Sequence, residues 1–330
     1  MDVNNKLSDS SPFIHIACDY LIYKKSLGYK VDDDYQRKFH SLGKFLSRYP
    51  ITGSPVLTLE MANAYVFQGN GENKNSTIHD RMSKIRQLAI FMNMASLGNY
   101  VFPEERIIRI SKDDFTPYVF THEEIARLEA GFQSLQKTNF SPLKYLVFPM
   151  LFRVLYCTGI RLSEALNLRL TDVDLENGIF LIRKPKNNRD RLVPLSLSLW
   201  EKVRKYYLEM QFSTGYSLYF FPTAKGNNYK PVSIGRTFKK LYGDCGIFNS
   251  KGKLPRIHDL RHTFCTHALE QMVDQGADVY CAIPYLCEYV GHRDISSTNA
   301  YLRLLPERFS DITKQMQEYC IGLIPEVEND

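Results

Sequence analysis

Thr158-Gly-Ile-Arg161-Leu-Ser-Glu164, Arg183-Lys-Pro-Lys186-Asn-Asn-Arg-Asp-Arg191-Leu-Val-Pro194, His258-Asp-Leu-Arg261-His-Thr263, Gly291-His292 and Tyr301-Leu-Arg303 are five separated stretches of this 330-residue chain. Each sets an ionisable side chain in a marked local context. Arg161 follows Thr-Gly-Ile among apolar neighbours, where an unpaired charge is costly. His258 and Arg261 stand three apart, the spacing that puts two side chains on one helix face. A phosphodiester spreads negative charge over its equatorial oxygens during substitution. Guanidiniums suit that target, because each is planar, offers paired donors and stays charged at working pH. A phenol such as Tyr301 has an ordinary pKa near 10, so it needs cationic neighbours or a base to act as nucleophile.

Outward from these stretches, the periodicity is mostly helical. Helices are expected over 143–156, 162–168, 197–211, 232–243, 258–272, 283–290, 296–304 and 309–323. Residues 179–183 and 191–195 alternate as two strands around a polar turn, a β-hairpin. Thr121-His-Glu-Glu124 reads as a capping box. Upstream, Phe13, Ile16, Ala17 and Tyr20 trace one apolar stripe, and Phe39, Leu42, Phe45 and Leu46 a second. Residues 59–67 form a short helix and 78–97 a longer one, whose polar face offers Arg81, Lys84 and Arg86 to phosphates. The pattern changes near residue 115, so two domains are expected, 1–115 and 116–330.

Composition narrows the class. With 44% hydrophobic and 13% aromatic residues, the chain can bury a large core without staples. Seven scattered cysteines with no CxxC pair read as reduced thiols. The first twelve residues carry no leader pattern, and the apolar run 145–159 is shorter than the ~20 residues a bilayer span needs. A soluble cytoplasmic protein is therefore expected. The net charge is +6, but residues 307–330 carry six acidic and two basic side chains; the rest holds 40 Lys and Arg against 30 Asp and Glu, or +10. A basic body suits a polyanionic partner. His258, His262 and His267 at helical spacing invite a metal reading, but no HExxH, CxxC or acidic cluster accompanies them. No Walker-type loop appears, so neither metal nor nucleotide is expected.

Taken in order, with His292 nine residues before Tyr301, the five stretches resemble the tyrosine recombinase (phage-type integrase) family over roughly residues 118–320. The resemblance implies a mainly α fold with a small β-sheet: a helical core-binding, DNA-binding domain followed by an α+β catalytic domain. It implies Tyr301 as nucleophile, Arg161 and Arg261 on the phosphate, His258 in proton transfer and His292 as a phosphate donor. Counting back from Arg191-Leu-Val-Pro194, the family's general-acid lysine falls on Lys186, with Lys184 as competitor. Glu164 resembles the acidic residue that orients site groups. The implied partner is double-stranded DNA with specific sites, bound by a homo-tetramer. The apolar stripe Phe309, Ile312, Met316, Tyr319, Cys320 and Leu323 suits a helix packed on its own domain or docked on a neighbouring protomer, and the resemblance implies the neighbour. Two departures stand out. The segment between Gly276 and Gly291 is a few residues longer than is usual in the family, which suggests a later helix start or an extra turn near Pro284. The helical half begins near residue 12, which leaves no room for a further arm-binding domain. The expected function is site-specific recombination, in a mobile element. The rivals are a type IB topoisomerase-like enzyme, a non-catalytic DNA-binding regulator and a metal-dependent nuclease.

Overall fold

The computed structural model describes residues 11–51, 53–69, 74–95, 98–107, 117–183, 190–213 and 217–291. The chain divides into two compact units, Met1–Thr116 and Pro117–Asp330.

Among the described residues of the first unit are four α-helices: α1 (Pro12–Ser26), α2 (Asp33–Leu46), α3 (Leu59–Val66) and α4 (Asn75–Ala95). Local chemistry sets their starts. Pro12 opens α1, where a missing N–H costs nothing. Asp32 and Thr58 cap α2 and α3 through their side chains. Tyr20, Phe39, Leu42, Leu46, Met61, Met82, Ile85 and Leu88 share one core. Each fully buried apolar side chain there contributes about 1.5–3 kcal/mol. The α1–α2 pair packs closely at Gly43, where a Cβ would lie 3.0 Å from the Ile14 backbone.

In the second unit, Thr121 and Glu124 form the expected reciprocal cap of α5 (His122–Gln133). Then comes α6 (Lys144–Thr158), buried along most of its length and packed against neighbours on several sides. Phe152 of α6 stacks on Phe132 of α5 at 4.6 Å. After α7 (Leu162–Asn167), three antiparallel strands follow in the order β1 (Val173–Asp174), β2 (Ile179–Ile182) and β3 (Arg191–Pro194). Phe180 faces Val193 in register, and both point into the core. β1 was not expected from the sequence.

The chain continues through α8 (Leu197–Ser213), α9 (Pro231–Asp244), α10 (Asp259–Asp274) and α11 (Val279–Val290). The last helix starts four residues before the expected Ile283, because Asp278 caps it by accepting from Cys281 N–H at 3.0 Å. It runs through Pro284 and ends on Gly291 in the left-handed conformation. The expected helices over 296–304 and 309–323 lie outside the described residues. No described helix is long and apolar enough to cross a membrane.

Candidate active site

Arg161 owes its place to the turn before it. Helix α6 stops at Gly159, whose φ of 61° is left-handed, and a Cβ there would drive into the Phe264 ring. Arg161 then serves as the extended N-cap residue of α7. Glu164, one turn on, reaches back: Oε2 accepts from the Arg161 backbone N–H at 3.0 Å, and Oε1 from Nη1 at 2.7 Å. Arg161 and Glu164 thus form an ion pair at the helix start.

Arg261 comes from α10. Its first turn is fixed by buried Asp259, which accepts from the Arg256 backbone N–H and guanidinium, each at 2.7 Å. Arg261 is 2% exposed. Nη1 donates to the Gly159 carbonyl at 2.7 Å and Nη2 to the Val290 carbonyl at 2.8 Å. Arg161 Nη2 donates to the next carbonyl, Gly291, at 3.3 Å. The two guanidiniums therefore sit on consecutive carbonyls at the end of α11, where the helix dipole favours positive charge. His258 caps α10 beside them. Burial holds its pKa below the ordinary imidazole value, and the Arg261, Arg256 and Arg161 charges add to that depression. That environment favours the uncharged form of the ring.

Arg191 was quoted in the sequence only as a counting mark, yet it belongs to this cluster. Its Nη2 donates to Glu164 Oε2 at 2.7 Å, Nη1 to Oε1 at 3.3 Å and Nε to the Tyr289 carbonyl at 3.2 Å. Burial alone would raise the Glu164 carboxyl; Arg191 and Arg161 overcome that and hold it below the usual carboxylate range. The missed signal was electrostatic. A buried glutamate calls for more cation than one partly exposed arginine supplies.

Lys186, His292 and Tyr301 lie outside the described residues. Their flanks are described. Arg183, just before the 184–189 segment, donates through Nε to Asp172 at 2.5 Å, and Arg191 stands after it. Gly291 immediately precedes His292.

The histidine trio of the metal reading does not meet. His258 and His262 sit edge to face at 5.0 Å, whereas the His267 ring lies 4.1 Å from that of His122, with Nδ1 3.1 Å from the Tyr156 hydroxyl. His122, His267 and Glu270 keep donor atoms within 4.8 Å of one another and form the three-residue grouping found among the described residues.

The cations expected to form a basic stripe on α4 make contacts within the first unit. Arg81 donates to the Val66 and Gln68 carbonyls at 3.0 and 2.8 Å, closing the end of α3. Lys84 turns into the buried face and pairs with Asp80, four residues earlier. Arg86 lies 3.7 Å from Glu104. The helix buries a wider face than the polar count implied, so its cations are engaged within the unit.

The family model described as "Phage integrase family" matches residues 118–308. A putative integrase/recombinase, y4rB of Sinorhizobium fredii, is 27% identical over 93% of this chain and 98% of its own length. Tyrosine recombinase XerA of Thermococcus onnurineus is 31% identical over 78% of this chain and 88% of its own. Among solved structures, the post-cleavage complex of the XerH site-specific recombinase with palindromic difH substrate aligns with a TM-score of 0.67. That alignment covers 93% of this chain and 96% of the other at 15% identity, a likeness of fold.

Proposed function

The chain belongs to the phage integrase family of tyrosine recombinases, which break and rejoin DNA, and on that premise we propose that it is a site-specific recombinase acting through a 3′-phosphotyrosyl intermediate. The observation that carries the reading is the seating of Arg161 and Arg261 on the consecutive carbonyls of Gly291 and Val290, with the His258 ring alongside. Such a cluster can hold a phosphodiester from two sides and stabilise charge as it builds on the equatorial oxygens.

In the proposed reaction the Tyr301 oxygen attacks phosphorus and its proton passes to His258. The P–O5′ bond breaks, and Lys186 protonates the departing 5′ oxygen. His292 donates to a phosphate oxygen. A 5′ hydroxyl from a second strand then attacks the phosphotyrosine and releases Tyr301. One phosphodiester is exchanged for another, so no nucleotide need be spent. We place the enzyme in a mobile element, as a tetramer spanning two sites on double-stranded DNA, in keeping with the integrase/recombinase name of the y4rB relative.

The test uses the sequence that purified protein selects from a random duplex pool, rebuilt as a nicked suicide substrate and incubated in chelator. The wild-type chain should trap covalent adducts, and Tyr301→Phe should bind equally but trap none. Adducts that persist in Tyr301→Phe would refute the nucleophile. Relaxation of supercoils without site preference would favour the topoisomerase-like alternative, and loss of activity in chelator the metal nuclease.

A further inference from the structure

We infer that Arg191 is a positioning residue that locks three segments of the catalytic centre into one register, an inference that rests on the function proposed above. Its own backbone begins β3, directly after the segment carrying Lys186. One edge of its guanidinium holds both oxygens of Glu164, the carboxylate that orients Arg161. Its Nε holds the Tyr289 carbonyl, three residues before His292. The packing is close as well as polar: a Cβ added at Gly291 would lie 3.0 Å from Arg191 Nη1. The side chain is 8% exposed, so these contacts form away from bulk water, where a charge is kept only if well paired.

The charge balance gives Arg191 a second effect. Glu164 alone with Arg161 would be a closed neutral pair, and its carboxylate would compete with phosphate for that guanidinium. Sharing the carboxylate with Arg191 leaves the trio net positive, so Arg161 keeps pull for an incoming anion. Three acceptors lying in two directions need a planar fork of donors. A lysine ammonium could keep the charge but not reach both Glu164 and Tyr289.

The experiment is single-turnover cleavage of the selected suicide duplex by wild type, Arg191→Met and Arg191→Lys, with binding measured separately. Each chain is also given a substrate whose bridging 5′ oxygen is replaced by sulfur, since a thiolate departs without a general acid. Arg191→Met should bind within about threefold of wild type yet cleave about 100-fold more slowly, the scale of an ångström-level misplacement. Arg191→Lys should recover part of that loss. The sulfur substrate should restore only part of the rate, because Arg161 is displaced together with the hairpin. Wild-type cleavage by Arg191→Met would overturn the inference. Full restoration by sulfur would also overturn it, by confining the effect to Lys186. If Arg191→Met does not fold, Arg191→Lys decides, and a normal rate there contradicts the need for the fork. An inert wild-type chain would overturn the functional reading itself, and this inference with it.

Discussion

Arg261 Nη2 donates to the carbonyl of Val290 at 2.8 Å, tying the buried face of α10 to the last residue of α11. Its other amino group holds Gly159 at 2.7 Å. One side chain thus joins the helix ends on which Arg161 and His292 depend. Arg261→Lys keeps the charge but can satisfy only one carbonyl well. A lost charge-assisted bond of this kind costs about 2 kcal/mol. Thermal unfolding should report that loss, and adduct formation should fall about 100-fold. Near-normal cleavage by Arg261→Lys would remove Arg261 from the phosphate site.

Gly159→Ala tests whether the turn sets Arg161. The position has φ of 61°, and the added methyl would meet the Phe264 ring. Backbone strain alone amounts to about 1–3 kcal/mol. A lowered melting temperature should come with slower cleavage and little change in DNA binding. A stable, fully active variant would show that the turn does not position the arginine.

Lys84, a candidate phosphate contact by sequence, is buried and paired with Asp80. Lys84→Ala should destabilise the protein by about 1 kcal/mol, since the Asp80 left behind is half exposed and remains hydrated. The salt dependence of DNA binding should not change. A flatter salt slope would return Lys84 to the DNA-facing surface.

The pattern of what could be read in advance is physical. Helices with apolar stripes and explicit caps, such as the one capped by Thr121, were legible because periodicity and capping are local. β1 was not, since two residues carry no alternation to detect. The start of α11 was hidden by Pro284, which reads as a boundary although this helix runs through it. Arg161, Glu164, His258 and Arg261 could be picked out by their contexts. The partners of Arg191 and Lys84 could not, because pairing depends on which way a side chain turns, and the Tyr289 and Glu164 contacts of Arg191 lie far off in sequence.

Acid should weaken the fold through two histidines. Burial lowers His262 to about 4, with the His258 charge adding to it; burial, then His122, lowers His267 to about 4. Their unfolded-state value is near 6.5, so between about 4 and about 6.5 the unfolded chain binds more protons. This contribution to stability is complete above about pH 6.5 and is lost as pH falls toward 4. Denaturant midpoints measured near pH 7 and near pH 5 should differ, and His262→Gln should narrow the gap. Equal midpoints in the wild-type chain would contradict the buried neutral state of these rings.

In the proposed reaction a phenol takes the phosphate. Trapped adduct from the suicide duplex, digested with trypsin and nuclease, should yield one nucleotide-bearing peptide by mass spectrometry. The expected product is a 3′-phosphoryl nucleotide on Tyr301. The modification on any other residue, or adduct formation by a 5′-phosphoryl link, would contradict it.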